Sequence, residues 1–110
     1  MDAKPKFVQL QITFPNEEEA RAIAETLVER RLVACAQILG PIESRYVWRG
    51  VVNVDSERLM LAKTRESLFQ RVADVVENAH SYECPQIVAI AIDCVSPKYE
   101  SWLEEQIVEP

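Results

Sequence analysis

Residues 42–64, with the sequence IESRYVWRGVVNVDSERLMLAKT, decide the predicted fold because they form two long extended segments joined by one turn. The segment 42–48 is rich in β-favouring residues, Arg49-Gly50 is a candidate turn, and residues 51–64 are extended again. Both segments are longer than a typical strand of about five to six residues. The stretch therefore predicts a β-hairpin that extends beyond the main body of the fold.

The chain before this hairpin predicts a strand, a helix and a second strand. Residues Phe7–Phe14 alternate apolar and polar side chains, which is typical of a half-buried strand. Asn16 and Glu19 have the spacing of a capping box at the start of an amphipathic helix. Residues 32–39 are mostly apolar and predict a buried strand, which a bend at Gly40-Pro41 separates from the hairpin.

The chain after the hairpin predicts a helix, a strand and a short final helix. Thr64 is the predicted N-cap of the first of these helices. Residues 87–92 are almost continuously apolar, which predicts a central strand covered on both faces. Ser96-Pro97 predicts the start of the final helix. The order is β-α-β-β-α-β plus a C-terminal helix, so residues 1–110 are expected to form one α+β domain of the ferredoxin-like, split βαβ type.

Charge and composition argue against several classes of function. The chain has 12 Lys and Arg against 18 Asp and Glu, and its net charge of -6 disfavours nucleic acid binding. No apolar run approaches the roughly 20 residues that cross a bilayer, so no membrane segment is expected. The N-terminus lacks an apolar signal-peptide core, and the three widely spaced cysteines do not form a disulfide framework. We therefore expect a cytoplasmic protein with reduced thiols.

A cluster of chemically versatile side chains separates the second helix from the last strand. The segment HSYECPQ, residues 80–86, contains the only histidine of the chain. Imidazole, carboxylate and thiolate groups bind transition metals, so His80, Glu83 and Cys84 are candidate ligands for copper or zinc. In the alternative interpretation, His80 only ends the helix, where a partly protonated imidazole interacts favourably with the last carbonyl groups. A His80–Cys84 catalytic pair lacks an evident orienting group, and no enzymatic activity is predicted.

Five further residues have both a structural and a functional interpretation. Cys35 and Cys94 lie in or beside apolar strands, where cysteine usually packs as a small hydrophobe. Trp48 is expected to line a pocket or a subunit interface, whereas Trp102 is expected in the core. Lys63 follows an apolar run and either binds an anion or extends its ammonium group to solvent from the end of a strand.

Five segments of the chain together resemble the CutA family, the divalent-cation tolerance proteins. These segments are Leu32-Val33-Ala34-Cys35-Ala36, Tyr46-Val47-Trp48-Arg49-Gly50, Glu57 with Lys63-Thr64, the loop from His80 to Ile87, and Tyr99-Glu100-Ser101-Trp102-Leu103. The resemblance implies a ferredoxin-like protomer, a homotrimer whose long hairpins pair across subunits, and a link to copper and other divalent ions. It also implies a trimer similar to that of the PII signalling proteins, which bind small molecules between subunits.

By matching position, the resemblance also implies which residues form the site. The residues expected in the cleft between subunits are Cys35, Tyr46, Trp48, Glu57, Lys63, His80, Tyr82, Glu83 and Trp102. Of these, Cys35 and His80 are the positions that the resemblance links to metal. The loop departs from the family pattern, because Cys84 replaces an apolar residue and Gln86 replaces a glutamate. Cys84 adds a soft donor that favours copper, whereas Gln86 removes a charged oxygen.

Three functions are compatible with these features. The first is a trimeric cytoplasmic protein that binds divalent copper, or a similar ion such as zinc, and contributes to metal tolerance. The metal ligands predicted on this hypothesis are Cys35, His80, Glu83 and Cys84. The second is a PII-like regulator that binds a small anionic metabolite between subunits, where Lys63, Tyr82 and Trp48 supply charge, a hydroxyl group and a stacking face. The third is a trimeric scaffold for a protein partner.

Overall fold

One four-stranded antiparallel sheet organises the computed structural model, which describes residues 6–108. In chain order the elements are β1 (Phe7–Phe14), α1 (Glu17–Glu29), β2 (Cys35–Trp48), β3 (Val51–Arg65), a single 3₁₀ turn (Glu66–Leu68), α2 (Phe69–Ala79), β4 (Ile87–Ala91) and α3 (Pro97–Gln106). The strand order is β2-β3-β1-β4, and every neighbouring pair is antiparallel. This confirms the predicted α+β fold with the split βαβ order.

Helices α1 and α2 bury one face of the sheet. The alternation predicted for β1 is confirmed, because Leu10, Ile12 and Phe14 are fully buried whereas Gln9 and Gln11 are partly exposed. The core that these side chains share with both helices and with β3 also includes Ile23, Leu27, Met60, Ala62, Val72 and Val76. Burial of this continuous apolar layer is the main contribution to the stability of the fold.

The predicted hairpin is confirmed, and it is longer than expected. Residues 32–39 and 42–48 were expected to form two strands, but β2 runs without interruption from Cys35 to Trp48. Arg49 and Gly50 connect β2 to β3 with positive φ angles of 50° and 78°, as a two-residue type I′ turn requires. Leu32 to Ala34 are buried, as predicted, but they precede the strand.

A β-bulge divides the hairpin into two halves. Leu39 pairs with Leu59 and Ile42 pairs with Glu57, so Gly40 and Pro41 lie together opposite the single residue Arg58. The extra residue reverses which side chains of β2 face which side of the sheet. Even-numbered residues of β2 beyond the bulge, such as Tyr46, consequently share a face with Glu57.

One predicted boundary and one predicted environment are wrong. Thr64 does not cap a helix, because β3 continues to Arg65 and the Thr64 hydroxyl donates a hydrogen bond of 2.6 Å to the Leu32 carbonyl. Strand β4 is an edge strand, not a central one, and Val88 and Ile90 are 44% and 47% exposed. Sequence periodicity reports the apolar character of a strand but not its place in the sheet.

Cys94 and Trp102 were expected to be buried, and both are exposed. Cys94 follows the end of β4, and Trp102 lies on the outer side of α3, stacked against Tyr99 with ring centroids 5.4 Å apart. Leu103 and Ile107 are the residues of this C-terminal region that enter the core, where they pack with Phe7. The apolar stripe of α3 is therefore narrower than its sequence indicates.

The sheet face opposite α1 and α2 is apolar and largely uncovered. We call it the open sheet face and define it by Leu39, Leu59, Leu61, Val88 and Ile90, whose pairing partners place them on one side of the sheet. Leu39, Val88 and Ile90 are exposed, and Leu59 and Leu61 are half-buried. Within residues 6–108, none of the helices is both long and apolar enough to span a bilayer.

Candidate functional site

A pocket of about 490 Å³ opens where the loop after α2 meets the half of the hairpin that lies between the bulge and the turn. Its lining residues are Thr13 from β1, Ser44, Arg45, Tyr46 and Trp48 from β2, Glu57 from β3, and Tyr82, Glu83, Cys84 and Gln86 from the loop. The β-bulge at Gly40 turns Tyr46 and Trp48 toward the face of the sheet that carries Glu57. The volume lies within the range of about 300–1,000 Å³ that is usual for small-molecule sites.

His80 fixes the loop that closes this pocket. Its ring is buried, stacks on Phe14 at a centroid distance of 4.8 Å, and places Nε2 at 2.7 Å from the Thr13 carbonyl oxygen. Its Nδ1 accepts a hydrogen bond of 3.0 Å from the backbone N–H of Tyr82. With Nδ1 accepting the Tyr82 N–H, Nε2 donates its hydrogen to the Thr13 carbonyl oxygen. Neither ring nitrogen is free to bind a metal while these hydrogen bonds persist.

Glu19 holds the same loop from the other side. Asn16 caps α1 as predicted, with its Oδ1 accepting the Glu19 N–H at 2.8 Å. The Glu19 carboxylate accepts a hydrogen bond of 3.2 Å from the Ser81 N–H and lies 3.3 Å from His80 Nδ1. This role of Glu19 was not predicted, because it depends on a contact between residues that are distant in sequence.

Inside the pocket, two tyrosine hydroxyl groups donate hydrogen bonds to carboxylates. Tyr82 donates to Glu57 at 2.8 Å, and Tyr46 donates to Asp55. Burial and the hydrogen bond to Glu57 raise the pKa of Tyr82, and the hydrogen bond to Asp55 raises the pKa of Tyr46. Both tyrosines are therefore neutral donors at physiological pH, and the negative charge of the pocket belongs to the carboxylates.

The rim of the pocket carries an ion pair. Arg49 donates a hydrogen bond of 2.7 Å to Glu83, and its guanidinium group lies 5.4 Å from the centroid of the Trp48 ring. Cys84 is exposed beside them as a free thiol. Arg49 had been assigned only to the turn and Asp55 had no assigned role. Asp55 lies two residues before Glu57 on β3, so both side chains are on the same face of the strand. This spacing could have identified Asp55 as a neighbour of the site.

The structure divides the predicted site residues into two groups. Tyr46, Trp48, Glu57, Tyr82, Glu83 and Cys84 line the pocket, and His80 lies directly beneath the loop. Cys35, Lys63 and Trp102 lie together elsewhere: Cys35 pairs with Lys63, and Tyr99 connects Cys35 to Trp102. Because Lys63 is six residues beyond Glu57 on the same strand, about 20 Å separates the two groups.

Side chains of the types that bind metal ions are present, but they do not come together within one protomer. Within residues 6–108, no three His, Cys, Asp or Glu side chains lie close enough together to hold a metal ion. Lys63 donates a hydrogen bond of 3.3 Å to Gln37 and is not a lining residue of the pocket. A single protomer therefore offers a carboxylate-rich pocket with a thiol at its rim.

The fold and this pocket define a class of small ferredoxin-like proteins that have one acidic, aromatic pocket beside an open sheet face. The sequence matches the family described as CutA1 divalent ion tolerance protein over residues 8–106. The chain belongs to this family, which confirms the resemblance seen in the sequence.

Similar proteins agree with this assignment. The chain is 44% identical over 94 residues to the divalent-cation tolerance protein CutA of Thermus thermophilus, covering 86% of this chain and 91% of that protein. It is 38% identical to the chloroplastic protein CutA of Arabidopsis thaliana over 88% of this chain, but spans only 53% of that longer relative.

Solved structures show the same fold. A Cut A1 structure from Thermus thermophilus gives a TM-score of 0.90 at 40% identity and covers 93% of this chain and 99% of that one. CutA1 from Oryza sativa gives 0.92 at 34% identity and covers 96% and 97%.

Proposed function

We propose that this protein is a homotrimeric, cytoplasmic protein that binds divalent metal ions, copper above zinc, and contributes to metal tolerance. The observation that carries the proposal is the exposed pair Glu83 and Cys84 at the rim of a carboxylate-lined pocket. A thiolate beside a carboxylate suits soft and borderline ions. Membership of a family named for divalent ion tolerance supports the choice of ligand, and free cysteines suit a reducing compartment.

The proposal assigns different roles to the four predicted metal ligands. Glu83 and Cys84 bind the ion, whereas His80 holds the loop that presents them. Cys35 lies beside Lys63, about 20 Å along the sheet from Glu57 in the same protomer. Cys35 joins the site only if it comes from a neighbouring subunit. The separation of Cys35, Lys63 and Trp102 from the pocket supports such an assembly, in which the cleft contains the pocket of one subunit and these three residues of the next.

Calorimetric titration of the reduced protein with Zn(II) and, without oxygen, Cu(II) tests the proposal. We expect saturable binding at a fixed ratio per subunit, lost in Cys84→Ser. Cys94→Ser is the matched control, because Cys94 is also an exposed free thiol but lies outside the pocket. Binding that is unchanged in Cys84→Ser, or equally reduced in both variants, would contradict the site.

The ion pair with Arg49 provides a second test of the rim. Glu83 must release Arg49 before it binds a metal, and both side chains are about 70% exposed. Exposed ion pairs contribute about 0–1 kcal/mol, so Arg49→Asn should raise the affinity for Zn(II) by up to about fivefold. Asparagine keeps the positive φ angle that the turn requires. An affinity that falls in this variant would argue against Glu83 as a ligand.

The alternative function is binding of a small anionic metabolite between subunits. Its support is Lys63 with the exposed Trp102, which lie together at the other end of the sheet. A thermal-shift screen of nucleotides and carboxylates distinguishes the two proposals, because a ligand that binds the folded state raises Tm. Stabilisation by an anion that depends on Lys63, with no stoichiometric metal binding, would favour the alternative.

A further inference from the structure

Strand β3 carries opposite charges at the two ends of the open sheet face. Glu57, Leu59, Leu61 and Lys63 are every second residue of the strand, so their four side chains lie on the same side of the sheet. The Glu57 carboxylate and the Lys63 ammonium group border the two leucines from opposite ends, about 20 Å apart. At this distance the two charges of one protomer do not neutralise each other, because solvent and salt screen their interaction.

Neither charge has an ionic partner among residues 6–108. Glu57 is 7% exposed and accepts a hydrogen bond of 2.8 Å from Tyr82, which leaves its negative charge in place. Lys63 is half-buried and donates to the neutral side-chain oxygen of Gln37 at 3.3 Å. None of the ion pairs in this part of the chain includes either residue. Because burial of an unpaired charge is unfavourable, a neighbour that covers this face must supply a partner for each of them.

Arg45 is a cation of the pocket lining, but it is paired with a different carboxylate. Its Nε donates a hydrogen bond of 3.0 Å to Glu43, and 68% of its side chain is exposed. Arg45 precedes Tyr46 on β2, so the two side chains leave the strand on opposite sides, and Tyr46 shares its side with Glu57. The contacts of Arg45 therefore leave Glu57 without a counter-ion in the protomer.

We propose that Lys63 of the next subunit enters this pocket and forms an ion pair with Glu57. The inference rests on the trimer of the proposed function but not on its metal binding. In a closed ring of identical subunits, each interface joins one surface of a subunit to a different surface of its neighbour. Each interface then receives one Lys63 and one Glu57, and this charge complementarity fixes how the two subunits align.

The ion pair also separates the two functions proposed for the cleft. A Lys63 ammonium group that is held by Glu57 is not free to bind an anionic metabolite. Metal binding by Glu83 and Cys84 at the rim does not need Lys63. The inference therefore favours the metal over the anion as the ligand of the assembled protein.

A charge swap tests the pair, with the dissociation constant of the assembly measured by fluorescence-detected sedimentation from nanomolar to micromolar concentration. Lys63→Glu places two carboxylates at each interface and should weaken assembly at least tenfold. Combining it with Glu57→Lys restores opposite charges and should return the dissociation constant to within about threefold of wild type. Because about 20 Å separates the two positions within a protomer, only a contact between subunits accounts for this recovery. A folded double variant that assembles no better than Lys63→Glu would overturn the inference.

Two neutral variants that keep Glu57 identify its partner even if the swapped chain does not fold. Lys63→Gln and Arg45→Gln each remove one positive charge. We expect Lys63→Gln to raise the dissociation constant at least tenfold, and Arg45→Gln, whose ion pair is exposed, to change it by less than about threefold. Weaker assembly in Arg45→Gln alone would make Arg45 the counter-ion of Glu57 and overturn the inference.

The assembly state of the wild type distinguishes failure of the inference from failure of the proposed function. A trimer that is indifferent to Lys63→Gln and to Lys63→Glu overturns the ion pair and leaves the proposed trimer intact. A dimer whose affinity depends on both Lys63 and Glu57 supports the ion pair and contradicts the trimer. A monomer overturns both.

Discussion

At the scale of single residues, His80 illustrates how a chemically versatile side chain becomes structural. The sequence offered two interpretations of it, a metal ligand or the end of a helix. In the structure it is the C-cap of α2, and both ring nitrogens are engaged in hydrogen bonds to the backbone. The proposed metal site therefore depends on Glu83 and Cys84, which follow His80 in the loop.

Replacing His80 should weaken the fold more than it weakens ligand binding per folded molecule. His80→Ala removes the hydrogen bond to Thr13, the acceptor of the Tyr82 N–H and the stack on Phe14. We expect the free energy of unfolding in urea to fall by about 2–4 kcal/mol. Cys84→Ser, at an exposed position of the same loop, should change it by less than about 0.5 kcal/mol. Equal stability of the two variants would contradict the role of His80.

Tyr82 predicts a specific weakness in alkaline solution. Its pKa is raised in the folded protein, first by burial and then by Glu57, above the value of about 10 expected in the unfolded chain. The folded state thus retains a proton that the unfolded state releases, so this stabilisation is complete below pH about 10 and declines above it. In Tyr82→Phe the free energy of unfolding should fall less steeply above pH about 10. The free energy of unfolding is measured by urea titration at each pH. If it falls equally steeply above pH about 10 in the wild type and in Tyr82→Phe, Tyr82 does not make this contribution.

The contacts at this scale were only partly predictable. The resemblance identified Tyr46, Trp48, Glu57 and Tyr82, which do meet in one pocket. Asp55, Arg49 and Glu19 were missed because their partners lie on other elements. Such pairings depend on the register and the loop conformation, which a local sequence pattern does not contain.

At the scale of elements, the bulge at Gly40 decides which side chains of β2 enter the pocket. Gly40 has a φ of 142°, and a Cβ atom there would lie 3.0 Å from both the Glu57 carbonyl oxygen and Arg58 Cδ. Only glycine fits this conformation without displacing the backbone of Glu57. The sequence indicated a bend at Gly40, but it could not show that the strand continues through it.

Gly40→Ala should therefore disturb both stability and the pocket. We expect the free energy of unfolding to fall by about 1–3 kcal/mol and binding of Zn(II) to weaken. Gly50→Ala is the matched control: Gly50 also has a positive φ, of 78°, but a Cβ atom there meets nothing within 4 Å. In Gly50→Ala, backbone strain should lower the free energy of unfolding by about 1–2 kcal/mol, and the affinity for Zn(II) should be unchanged. If Gly40→Ala left the affinity for Zn(II) unchanged, the bulge would not be needed to form the site.

At the scale of the whole molecule, the open sheet face explains why one predicted strand environment was wrong. Residues 87–92 have the continuous apolar character of a strand covered on both sides, yet β4 is an exposed edge in the protomer. The apolar sequence indicates that the strand is buried, but it does not indicate whether helices of the same chain or another copy of the chain bury it. A second and third copy of the chain would cover Val88 and Ile90, in agreement with the proposed trimer.

A charge on the open sheet face should dissociate that trimer. We expect light scattering to give a trimer for the wild type and a monomer for Ile90→Lys, because a buried unpaired ammonium group is unfavourable. Val28→Lys is the matched control, since Val28 is another exposed apolar residue, 41% exposed, but lies on α1. A wild-type monomer at micromolar concentration, or a trimer that persists in Ile90→Lys, would contradict the assembly through this face.

The long hairpin also has a consequence for the time course of folding. Its strand pairs are close in sequence, whereas β1 finds β3 and β4 only across long intervening segments. Contacts between sequence neighbours form fastest because little chain entropy is lost in closing the loop. We therefore expect the hairpin to pair before β1 and β4 join the sheet. The wall of the pocket that carries Tyr46, Trp48 and Glu57 is built first, and the His80 loop closes over it last.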